Sequence, residues 1–148
     1  MNTHPYLRAY LAGIFVPTLV LPLILGVFIL TRIVLKMPIP VEQVMIFPMA
    51  AAPSLFGLWN MFYLASHART RLPIGVYGAV LPFVIVPAGG MMAYWLGVVQ
   101  FGASGVVWFQ SLPEPYSHVA LVFLVGPVAY YLIWKYIVGF LNRVLGIA

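Results

Sequence analysis

Four stretches of this chain carry no Asp, Glu, Lys or Arg: Ala9 to Thr31, Gln43 to Ser66, Leu72 to Pro113, and Pro115 to Trp134. Each reaches the ~20 residues that a helix needs to cross a bilayer at ~1.5 Å rise per residue. The charged side chains sit almost entirely between them. The pattern predicts an all-α integral membrane fold, with four transmembrane helices over about 9–31, 40–66, 73–100 and 118–141. Neighbouring helices run antiparallel, in a single domain spanning 1–148.

Local signals place the ends. Tyr6 and Tyr10 collar the first span, which ends in Leu30-Thr31-Arg32 without a small-residue cleavage site and so reads as retained, not as a signal peptide. Pro40 opens the second span, with Glu42 where the helix dipole favours an acid, and Pro73 opens the third. Ser117 is the expected N-cap of the fourth. The one long connector, 101–117, is broken by Gly102, Gly105, Pro113 and Pro115. It reads as an outer loop, interfacial or re-entrant, with a loop packed over the bundle as the alternative, because Val106-Val107-Trp108-Phe109 is apolar but too short to cross.

Prolines recur within the spans as Pro17/Pro22, Pro48/Pro53 and Pro82/Pro87, with Pro127 alone in the fourth. Each removes a helical hydrogen bond and bends its helix. The freed carbonyls, such as those of Val44 and Gly78, offer an ion or water site. Shaping of the bundle is the commoner role of proline in membrane helices.

Composition agrees with the pattern: 64% hydrophobic and 6% charged, against ~25% charged in soluble domains. The seven Lys and Arg form no run or stripe, which excludes a nucleic-acid face. Their distribution sets orientation instead. With the N-terminus inside, Arg8, Arg69, Arg71, Lys135 and Arg143 fall on the cytoplasmic side, and Arg32 and Lys36 outside. Both termini are then cytoplasmic, in what reads as a bacterial inner membrane. Zero cysteine removes disulfides, thiolate metal sites and redox thiols together.

The chemistry on offer is sparse. No ionisable residue falls at mid-depth and the chain has no Asp, which argues against transport coupled through a buried carboxylate. No nucleophile stands beside an orienting base, so no catalytic residue is assigned. His67 and His118 fall at opposite surfaces and His4 in the N-terminal tail, so neither a haem nor a metal site is expected.

Asn60 is the one strongly polar residue deep in a span, with Ser54 and Thr18 weaker, and its expected role is a hydrogen bond between helices. Tyr130 and Tyr131 lie deep enough to need hydroxyl partners or to line an apolar pocket. Arg69, Arg71 and Lys135 are the expected contacts to lipid headgroups. Gly89, Ala93 and Gly97 recur every fourth residue and predict a close-packing row on span 3, with Gly75 and Ala79 a second small pair.

The function expected from this reading is a non-enzymatic membrane subunit without cofactor. It is a scaffold or accessory protein that packs against lipid and against other membrane chains or copies of itself. The alternative is a small homo-oligomeric channel or transporter whose path forms between kinked helices; a membrane enzyme or cofactor carrier ranks last.

Overall fold

Pro5 opens helix α1 (Pro5–Val34), where a residue lacking an N–H leaves no donor unpaired. The computed structural model describes residues 4–38, 40–44, 50–110 and 112–147. At 30 residues, α1 is about 45 Å long, well beyond the ~30 Å hydrocarbon core. Pro17 and Pro22 lie within α1 without ending it. A single turn, α2 (Val41–Val44), precedes α3 (Ala50–Thr70), which holds Pro53. Helix α4 (Ile74–Trp95) holds Pro82 and Pro87. Helix α5 (Tyr116–Leu132) continues through a π-helical turn, Ile133–Val138, into α6 (Gly139–Val144).

Against the four spans expected from sequence, three described helices are long and apolar enough to cross a membrane: α1, α4 and the continuous Tyr116–Val144 rod. Helix α3 is not among them, and its Ser54, Asn60, Ser66 and His67 account for the lower apolarity. The expected second span, 40–66, therefore appears as α2 and α3. Residues 45–49 between them, Pro48 included, lie outside the described residues.

The connector after α4 departs furthest from expectation. In place of an irregular loop, the chain forms a three-stranded antiparallel meander: β1 (Val99–Phe101), β2 (Gly105–Trp108) and β3 (Leu112–Pro115). Gln100 pairs with Val107, and Val106 with Glu114. The glycines and prolines that exclude a helix serve the sheet. The Gly102 N–H donates to the Gly105 carbonyl at 2.8 Å to close the first turn, and Gly105 lies where a Cβ would strike the backbone of Glu114. Pro113 and Pro115 sit on an edge strand, where a missing donor is tolerated.

Span 3 ends earlier than about 100 because Gly97 takes φ +69°. Its N–H donates to the Tyr94 carbonyl and that of Val98 to the Ala93 carbonyl, the paired bonds of a Schellman stop. The fourth span begins at Tyr116, not His118, with Pro115 rather than Ser117 before its first turn.

Helix α1 packs chiefly on α3, and α4 on α5. Glycine permits the first contact: a Cβ on Gly13 would meet the Phe56 carbonyl, and one on Gly57 the Tyr10 ring. Trp134, Leu81, Val138 and Phe56 join the pairs into one core. That core lies toward one end, hereafter the packed end, where α1 and α4 begin and where α3 and α6 finish. The buried residues of α1 are Ala9, Ala12, Gly13 and Pro17, and α5 has none before the π turn. At the opposite, sheet end, Ala93, Val98, Val99 and Val106 form a second, smaller core.

Candidate functional site

Polar groups concentrate at the packed end. Asn60, wholly buried in α3, donates from its amide nitrogen to the Ala9 carbonyl of α1 and to Asn142 Oδ1 of α6, both at 2.8 Å. Asn142, equally buried, returns a bond from Nδ2 to Asn60 Oδ1 at 3.1 Å. A carbonyl only accepts, so Ala9 fixes which way the Asn60 amide points, and Asn60 then fixes Asn142. Beside this node Arg8 Nη1 donates to the Leu145 carbonyl at 2.6 Å, bringing the start of α1 to the end of α6.

Tyr77 stitches α4 to α3. Its backbone carbonyl accepts from Trp59 Nε1 at 2.8 Å, and its hydroxyl lies 2.7 Å from both Ser66 Oγ and Thr70 Oγ1. Ser66 also reaches the Phe62 carbonyl at 2.7 Å, and Thr70 the Ser66 carbonyl at 3.2 Å. Four contacts thus compete for three hydroxyl protons, which leaves none over to donate to a substrate. His67 does not activate Ser66; its Nδ1 lies 3.0 Å from the Leu72 carbonyl, and its ring packs on Tyr63.

Between α3 and α4 runs an open groove of about 230 Å³, walled by Trp59, Phe62, Val76 and Val80 and reaching Thr70 and Leu72 at the packed end. A larger apolar cavity, about 600 Å³, lies at the sheet end between α4 and the meander, bounded by Ile85, Gly89, Tyr94, Phe101 and Trp108.

The residues singled out from sequence scatter over these features. Arg69 and Arg71 are exposed at the end of α3, and no described carboxylate pairs with them. Lys135 lies on the π turn with Nζ 5.7 Å from the Tyr131 ring centre and 5.2 Å from that of Tyr136, a cation–π arrangement. Gly89 borders the large cavity, Ala93 is buried beneath the sheet, and Gly97 lies beyond the end of α4. These three do not form one continuous helical row. Of the second small pair, Gly75 abuts Tyr131 and neighbouring Gly78 abuts Trp134.

His67 and His118 stand at opposite ends; His118 Nδ1 is 3.0 Å from Glu114 Oε1. Among the described residues no group of three or more His, Asp or Glu could hold a metal.

Sequence reasoning missed Asn142, because it lies past the expected end of span 4 at about 141. A second buried asparagine in a membrane helix is itself the signal that Asn60 has a partner. The seam at Gly13 and Gly57 carries no signal in the sequence alone, since their spacing marks it only once α1 is known to face α3. No family model matches this chain, and neither do any curated protein or solved structure.

Proposed function

We propose that this chain is a non-catalytic integral membrane subunit, a scaffold or accessory protein that docks helices of another membrane chain. One observation carries the reading: on both long outer helices full burial is confined to the packed end, with none on α5 before the π turn, and toward the sheet end they make only partial contacts such as Phe28 on Phe109 and Phe123 on Phe83. Along the rest of their length they present apolar side chains outward, with Leu23 of α1 and Leu124 of α5 exposed by 71% and 74%. In lipid, association is driven by side-chain packing, and these long apolar faces are open to such packing by a second set of helices. The polar nodes at the packed end fit the same reading, since the Asn60 amide and the Ser66, Thr70 and Tyr77 hydroxyls find their partners within the chain. A channel would need groups that replace an ion's hydration along its path. On the outward stretch of α1, the Thr18 and Thr31 hydroxyls instead donate to Ile14 and Val27 of their own helix.

In this reading the packed end faces the cytoplasm of a bacterial inner membrane, with Arg69, Arg71 and Lys135 at headgroup level. Photo-crosslinking residues placed at Leu23 and Leu124 in intact membranes test it. The expected product is a discrete larger protein band from both positions. Adducts with lipid alone would contradict it.

A further inference from the structure

We infer that the groove between α3 and α4 is a binding site for one anionic phospholipid of the leaflet at the packed end. This rests on the proposed placement of that end at a membrane surface. The inference goes further by naming the lipid class and its seat.

Three observations converge. First, the groove has the form of an acyl-chain slot. Its floor is Trp59, Val76 and Tyr77, and its rim is Phe62, Leu72 and Val80, which are 52%, 44% and 44% exposed. Second, its length suits one leaflet. Trp59 and Thr70 are eleven residues apart on α3, about 16 Å of helix and close to half of the ~30 Å hydrocarbon core. Third, the charge at its mouth is uncompensated. Arg69 lies three residues beyond Ser66 and seven beyond Phe62, spacings that put all three on one helical face. Arg71 follows directly after the helix with φ 54°. Neither has a carboxylate partner, because both acids of the chain are engaged at the sheet end, Glu42 with Arg32 and Glu114 with His118.

The hydroxyls of Ser66, Thr70 and Tyr77 do not bind the headgroup. Their protons are taken up within α3 and in the contacts of Tyr77 with Ser66 and Thr70, so the anion's recognition falls to the two guanidinium groups. That assigns selectivity to charge at the mouth and affinity to chain packing in the slot. Each basic residue near a surface favours an anionic lipid by about five-fold.

The test uses the full chain in vesicles of phosphatidylcholine or phosphatidylglycerol brominated on the acyl chains. Bromine quenches nearby indoles, and the Trp59 signal is isolated as the difference from the Trp59→Phe variant. Trp59 is expected to be quenched preferentially by brominated phosphatidylglycerol. Arg69→Gln with Arg71→Gln should bring the preference close to one while phosphatidylcholine still quenches. Arg32→Gln, at the sheet end, should leave the preference intact; its loss there would make the effect a general charge response and overturn the site.

Equal quenching of the unmodified protein by both lipids would also overturn it, leaving the membrane placement standing. No quenching by either lipid would overturn the site and the membrane placement of α3 together. A second measurement guards against misfolding of the double variant: native mass spectrometry should show one phosphatidylglycerol retained by the unmodified protein and lost from the variant at unchanged helix content.

Discussion

Asn60 and Asn142, 82 positions apart in the chain, bond each other through both ends of their side-chain amides, at 2.8 and 3.1 Å. With the Ala9 carbonyl as third member, the pair ties α1, α3 and α6 at one level. Replacing one amide strands the other in a fully buried site, whereas replacing both removes the demand along with the supply.

Asn60→Leu and Asn142→Leu should each therefore destabilise the fold by about 1–3 kcal/mol. The double variant should lose less than the sum, since the two residues share one network. A double-mutant cycle on reversible unfolding in mixed detergent micelles reads this directly. Additive losses would mean that the two amides act independently.

A Cβ on Gly13 would meet the Phe56 backbone, while Gly26 on the same helix has nothing within 4 Å of that position. Gly13→Leu should cost at least the ~1–3 kcal/mol typical of overpacking, and Gly26→Leu should be nearly silent. Thermal unfolding in detergent distinguishes the two, and comparable losses at both positions would contradict the α1–α3 seam.

Orientation is testable because the chain has no native cysteine. With the packed end cytoplasmic, a cysteine replacing Thr70 should resist a membrane-impermeant thiol reagent added to intact cells and react once the cells are opened. One replacing Ser104, in the turn between β1 and β2, should react at once. The reverse pattern would invert the topology.

Much of this architecture was legible in the residue pattern, and the exceptions have definite causes. The uncharged stretches located the helices, and Pro73 marks the position just before α4. The meander was hidden because glycine and proline exclude a helix without saying what replaces it. The β-branched and aromatic run Val106-Val107-Trp108 was the available strand signal. Gly97 reads as part of a packing row by spacing alone, yet its positive φ makes it the residue that stops α4. The π turn at Ile133–Val138 contains neither glycine nor proline, so nothing local marks it. Of the site residues, Asn60 was visible as a polar group in an apolar span. Its partner became visible only when the fold brought α6 beside α3.

The central claim is that the exposed apolar faces of α1 and α5 beyond the packed end dock another membrane chain. Native mass spectrometry of the protein, extracted from its own membrane in a mild detergent and ejected without denaturation, tests this most directly. The account predicts an assembly heavier than the 16.4 kDa chain with its lipid, containing a second membrane protein that is released when Leu23 and Leu124 are replaced by Lys. A bare monomer carrying only lipid, unchanged by those replacements, would contradict it.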